Sequence, residues 1–509
     1  MSERFENPFP QLEEATIAGL QAAMAARQLT ARQLTEMYIE RIHALNRRGP
    51  NLKAVLEINP EALALADALD QERQRNGPRS PLHGLPILIK DNVATADQMQ
   101  TTAGSLALLG ARSPRDAFVV SRLRAAGAVI LGKTNLSEWA NFRSNNSSSG
   151  WSARGGQTLN PYVLDRTPSG SSSGSATAVA ANLAVAAIGT ETDGSIICPA
   201  SANAVVGIKP TLGLTSCAGV IPIAHSQDTV GPLARNVADA ATLLSALTGV
   251  DARDPTTRAS AGRVPADYTQ FLDPDGLRGA RIGVARQCYF GYSAKADAIV
   301  NAAIERLRAL GAEIIDPADI PTAQQISSSK AELTVLLAEF KADLNAYLAE
   351  LPYARVRTLA EIIEFNNAYA SEELQYFGQD LFLLAQNAPA LDDEAYLNAL
   401  ATNQRLARQE GIDAVMQEYR LDALVAPTSS PPWSIDLVNG DHSIGASSQP
   451  TALAGYPAIT VPAGYVFELP VGLTFMGLAF SEPTLIRLAF AFEQAMKIRR
   501  SPRYRPTLQ

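Results

Sequence analysis

From residue 11 to residue 75 apolar positions recur at helical spacing, as at Leu34, Met37, Tyr38 and Ile42, and predict helices. Thr30 followed by Gln33 reads as a capping box that starts one of them. Gly77-Pro78 stops the pattern, and the short β-prone run Ile87–Ile89 that follows reads as a buried strand ending at Lys90. Strand and helix signals then alternate. Ser113-Pro114 opens a helix over 114–126, Val129-Ile130-Leu131 forms a strand that ends at Gly132-Lys133, and a helix at 172–182 leads into a strand at 184–190. A helix at 233–247, a strand at 281–285, a helix at 295–310 and a strand at 313–315 continue the rhythm. Residues 323–416 interrupt it, being helix-prone with hardly a β-type run, and read as a helical excursion from the core. Strand patterns return at 424–425, 458–461 and 471–476 before a closing helix at 482–497. Such alternation predicts an α/β fold, a sheet covered by helices on both faces.

Composition narrows the classes. A chain of 509 residues is too long for one ordinary domain and fits several domains or one large α/β core with insertions. The net charge of −8 argues against a nucleic-acid binder, and the basic tail KIRRSPRYRP reads as a solvated end. Three cysteines without a CxxC pair and four scattered histidines give neither a disulfide framework nor zinc-type spacing, so no metal and no cofactor are expected. The longest near-apolar run, Ala176 to Gly189, contains Thr177 and Asn182 and is too short to cross a bilayer. The opening MSERFENPFPQLEE lacks the charged and apolar regions of a secretion leader, so a cytoplasmic protein is expected unless a leader has been removed.

Candidate chemistry concentrates in Thr167–Ser201, where two Ser- and Gly-rich turns flank an apolar run without a single Lys, Arg or His. A phosphate loop needs a lysine that SGSSSGSA lacks, and the dinucleotide pattern is also missing. A catalytic serine here needs a base. No G-x-S-x-G elbow marks a histidine partner among His43, His83, His225 and His442. Lysine serves as a base only when burial keeps it neutral, and Lys90 stands at the C-terminal end of a strand, where α/β active sites collect.

At these residues the chain resembles the amidase signature hydrolases. The resemblance lies in GLPILIKDN (84–92), GKTNLSEWA (132–140), PSGSSSGSA (168–176), GTETDGSIICPAS (189–201), VVGIKPTLG (205–213) and SQDTVGPLAR (226–235), in the family's order. It implies a single amidase-type domain over 1–509 with a large mixed β-sheet at its core. N-terminal helices would occupy 1–78, the first part of the core with the catalytic residues 79–320, the excursion 323–416 and the second part of the core 420–509. It also implies a Ser–cis-Ser–Lys triad: Ser195 as nucleophile, Ser171 as bridge after a cis Gly170–Ser171 peptide, and Lys90 as general base. The oxyanion hole falls to backbone N–H groups around Thr192, Asp193, Gly194 and Ser195. Ser172 is expected either to bond near Lys90 or to shape the turn.

Where many relatives carry glycine, this chain has Ser169, Ser173 and Asp193, and Ile197 stands where they carry Arg. A charged Asp193 would oppose an oxyanion, so its carboxylate is expected to point away. GTETDGSI followed by CPA, with WSARGGQT and TNLSEWANF, resembles the peptide-amidase branch, whose members remove the C-terminal amide of peptides and release ammonia. The implied partner is a peptide amide or small amide, with no nucleic acid, membrane or obligatory protein partner. Alternatives remain open: a broad carboxamide amidase, the amidase subunit of a glutamyl-tRNA amidotransferase, or an inactive binding protein of the same fold. No substrate-binding residue is fixed. Trp139 and Trp151 fit a pocket lining or core packing equally well, Cys198 and Lys133 are rival nucleophile and base, and Asp228 and Thr229 are expected to position loops.

Overall fold

The structure, a computed structural model, describes residues 8–508. Residues 1–7, where the stretch read for a secretion leader begins, and Gln509 lie outside the described residues.

The strands in chain order are β1 (Val55–Ile58), β2 (Pro86–Lys90), β3 (Val129–Thr134), β4 (Trp151–Ser152), β5 (Gly156–Gln157), β6 (Ala186–Glu191) and β7 (Val206–Lys209). They continue with β8 (Thr229–Ala234), β9 (Arg281–Val284), β10 (Glu313–Ile315), β11 (Ala423–Pro427), β12 (Ala458–Val466) and β13 (Leu469–Met476). β4 and β5 make a small hairpin, and the other eleven form one sheet in the order β1-β3-β2-β6-β8-β7-β12-β13-β11-β9-β10. The sheet is mixed: β3, β2 and β6 run parallel, as do β11, β9 and β10, with antiparallel pairing between these groups. β2, β3, β6 and β8 are buried along their whole length, as expected of apolar runs covered on both faces.

Local chemistry explains where pattern and fold agree and where they part. The capping box is formed: Thr30 Oγ1 accepts from the Gln33 N–H and Gln33 Oε1 from the Thr30 N–H. The helix expected from 114 begins only at Phe118. Asp116 Oδ1 accepts the Ala96 N–H at 2.7 Å and the Ala117 N–H reaches Ala94 O, which hold this segment extended. The helix expected over 233–247 is split. Leu233 pairs with Ala187 inside β8, and the helix starts at Val237 after Asn236 caps the Asp239 N–H. β1, β7 and β8 escaped the sequence reading, being short or masked by neighbouring helix signals.

Residues 323–416 supply helices, among them Ala331–Ala349, Leu359–Ala368 and Glu394–Ala407, and no strand of the sheet. They pack through a second apolar cluster that joins Phe340 and Phe382 to Trp139. Beside it Arg143, Glu138 and Glu373 form a buried ionic group, with the Arg143 guanidinium 4.2 Å from the Phe377 ring centre. Among the described residues no helix is long and apolar enough to cross a membrane.

Candidate active site

The last residue of β2 and the turn after β6 meet at the centre of the sheet. β2 pairs parallel to β6, so Lys90 leaves its strand beside Thr190. The ammonium nitrogen is fully buried among oxygens: Ser171 Oγ at 2.8 Å, Thr190 Oγ1 at 2.9 Å, Ser172 Oγ at 3.1 Å and Thr190 O at 3.2 Å. Burial lowers its pKa from 10.5 to about 7, only partly opposed by the charges of Asp228 and Glu191. A lysine so placed is neutral in a large fraction of molecules near neutrality and can accept a proton.

Ser171 and Ser172 precede the short helix Ser173–Ala180, and the Gly170–Ser171 peptide is cis. Ser172 is anchored: its hydroxyl donates to Thr190 O at 3.0 Å and accepts the Thr190 N–H, while accepting from Lys90 as well. Ser172 thus bonds Lys90 and the Thr190 backbone at once. Ser171 has Lys90 as its side-chain partner. The Ser172 N–H also donates to Ser195 O at 3.1 Å, clasping the two serine turns together.

Ser195 lies in the turn between β6 and the helix Ile197–Ala202, 8% exposed while Lys90 and Ser171 are sealed. Gly194 has φ +79°, and a Cβ there would come within 2.9 Å of both Cys198 Sγ and Ser448 Oγ, so the turn requires glycine. Glu191 organises this turn, a role the sequence reading missed although GTETDGSI displays it. One carboxylate oxygen accepts the Ile196 and Ile197 N–H groups at 2.7 and 3.0 Å, in the manner of an N-cap. Thr192 is fixed by Asp228, whose Oδ1 accepts the threonine hydroxyl at 2.5 Å while Oδ2 accepts the Ile223 and Ala224 N–H groups. Burial raises the Asp228 carboxyl to about 7. Asn92, also unforeseen, donates to Thr190 Oγ1 at 3.0 Å.

Asp193 is only part-buried, yet its Oδ1 is shut from solvent without a hydrogen-bond partner. Its carboxyl lies near Ser448 and Glu332, and burial, reinforced by the Glu332 charge, pushes its pKa well up. That shift works against a charge on Asp193 beside the turn.

The rival base Lys133, and Lys209 in a neighbouring motif, are occupied elsewhere. Lys133 Nζ donates to Val93 O and Thr101 Oγ1, and Lys209 Nζ to Tyr456 O. Burial and the neighbouring carboxylates raise the Cys198 thiol well above its ordinary value, which disfavours a thiolate. Trp139 and Trp151 are buried in edge-on contacts with Phe382 and with Tyr376 and Phe377. A surface cavity of about 800 Å³ lies among residues 9–40, away from this cluster.

Similarity to known proteins extends over nearly the whole chain. A family model described as Amidase matches residues 33–486. The native peptide amidase of Stenotrophomonas maltophilia superposes with a TM-score of 0.93 at 52% identity, covering 97% of this chain and 99% of its own. A probable amidase of Arabidopsis thaliana is 46% identical over 500 residues, 97% of this chain and 92% of that protein. A glutamyl-tRNA(Gln) amidotransferase subunit from Chloroflexus aurantiacus is 37% identical over 502 residues, 95% of this chain and 97% of its own length.

Proposed function

The chain belongs to the amidase signature family and is a hydrolase of carbon–nitrogen amide bonds, and from that premise we propose that it is a peptide amidase using Lys90, Ser171 and Ser195. The observation that carries the triad is the buried Lys90 amine, 2.8 Å from Ser171 Oγ and with its pKa lowered to about 7. Neutral Lys90 draws the Ser171 proton as Ser171 takes that of Ser195, and Ser195 Oγ attacks the amide carbon. Backbone N–H groups over Thr192, Asp193, Gly194 and Ser195 hold the oxyanion, each worth on the order of 3 kcal/mol. The proton returns through Ser171 to the leaving nitrogen, ammonia departs, and water enters by the same relay to release the acid from the Ser195 ester. Thr190 and Asn92 hold the base in place, and Glu191 and Asp228 set the turn that carries the oxyanion donors.

Support for a C-terminal peptide amide as substrate comes from the 52% identity to a peptide amidase over 97% of this chain. The relation to amidotransferase subunits keeps a second reading in view, in which the chain works with partners. Ammonia release separates them. The isolated chain is expected to deamidate a dipeptide amide without ATP, faster than simple aliphatic or aromatic amides. kcat/KM should rise with pH through about 7 as Lys90 loses its proton. Activity that requires ATP and a second protein, or equal rates on all amides, would overturn the peptide amidase assignment.

A further inference from the structure

Zinc-type spacing is absent from the sequence, but the fold assembles a donor set from positions up to 118 residues apart. His225 lies on the loop leading into β8, against the helix Ala331–Ala349. Its Nδ1 is 2.8 Å from Asp343 Oδ2 and 3.5 Å from Glu339 Oε2. Glu339 and Asp343 are four residues apart and share one helix face. All three donor atoms fall within 4.8 Å of one another.

Glu339 is held by residues outside the donor set, and Asp343 by the His225 backbone. Tyr396 OH donates to Glu339 Oε1 at 2.8 Å, the Ser226 N–H to Glu339 Oε2 at 2.9 Å, and the His225 N–H to Asp343 Oδ2 at 3.1 Å. Such bonds orient ligands around metals and sharpen their affinity. Glu339 is sealed while the His225 side chain is 49% exposed, so the cluster has a buried floor and an open side through which an ion and its water can enter.

We propose that His225, Glu339 and Asp343 bind one divalent cation of the Zn²⁺ type, with water completing the coordination. Donors at about 2.0–2.2 Å from a tetrahedral ion stand about 3.4 Å from each other. The two observed separations from Nδ1 lie on either side of that value. One imidazole and two carboxylates match a zinc site, whereas Mg²⁺ and Ca²⁺ call for six or more oxygens. The ion would staple the helix to the loop that carries Gln227 and Asp228, residues whose side chains reach Thr192. No role in hydrolysis is implied, and the site stands whether or not the chain acts on peptide amides.

Calorimetric titration of Zn²⁺ into the EDTA-treated, dialysed chain tests the site, with Mg²⁺ as comparison. One Zn²⁺ per chain is expected, at least tenfold weaker in Asp343→Asn and in His225→Gln, unchanged in Cys288→Ser and His442→Gln, and with no comparable Mg²⁺ binding. Asp343 and His225 are both solvent-accessible side chains, and unfolding midpoints in EDTA verify that the variants fold. Absence of saturable binding overturns the proposal. So does binding that survives both ligand variants, or that disappears with Cys288 or His442.

Discussion

Replacing Lys90 by methionine tests the energetic reasoning about the base, because the change keeps the volume and removes the charge. The step from 10.5 to about 7 corresponds to about 5 kcal/mol at 1.36 kcal/mol per pH unit. Its sign follows from linkage. Between pH 7 and 10.5 the unfolded chain binds a proton on Lys90 that the folded chain does not, so the Lys90 contribution to wild-type stability rises with pH by about 1.4 kcal/mol per unit. Below pH 7 the full cost is present. The methionine variant escapes it but forfeits hydrogen bonds. Thr190 Oγ1 keeps Asn92 and Ser172 keeps the Thr190 backbone, whereas Ser171 Oγ loses Lys90, an orphaning worth about 1–3 kcal/mol. Lys90→Met should therefore be inactive yet more stable than wild type by about 2–4 kcal/mol at pH 7, with the advantage close to zero by about pH 9. Lys133 and Lys209, both lowered to about 8, are common to the two proteins and cancel in the difference. Urea unfolding of both proteins at pH 7, 8 and 9 measures it. A difference that does not change with pH, or a variant less stable at pH 7, would refute the reasoning.

Two further substitutions probe the surroundings. Gly194→Ala puts a Cβ into a left-handed turn against Cys198 and Ser448, and should lower stability by about 1–2 kcal/mol in urea and kcat at least tenfold; wild-type kinetics would show that the turn is not tightly set. Arg143→Met strands Glu138 and Glu373, both buried, and should cost about 3–5 kcal/mol of unfolding free energy; a loss below about 1 kcal/mol would mean that the carboxyls are held neutral.

The sequence made the centre of the sheet visible and its edges much less so. β2, β3 and β6 stood out because apolar runs buried on both faces have few other readings. β1 is four residues with Glu57 inside it, and β8 contains glycine and proline, so neither carries a strand signal strong enough to outweigh its neighbours. The start of the helix at Phe118 depends on Asp116 bonding Ala96, a contact 20 residues away that no local pattern encodes. In the site, Lys90 and the two serine turns were readable from residue type and motif. Thr190 and Asn92 were not, because their roles arise from β2 lying beside β6, whereas the local role of Glu191 stood in GTETDGSI and went unread. The upward shift of the Asp193 carboxyl likewise comes from burial and from Glu332, which the helical excursion delivers.

The most direct test of the central claim is the identity of the residue that carries the acyl group. Turnover of a peptide amide is quenched in acid, and the digested chain is analysed by mass spectrometry. The account predicts an acyl ester on the peptide containing Ser195, none in Ser195→Ala, and a fall in kcat for that variant of at least about 10³-fold, as for loss of an activated nucleophile. An acyl group on any other residue, or a Ser195→Ala chain that still releases ammonia at the wild-type rate, would contradict it.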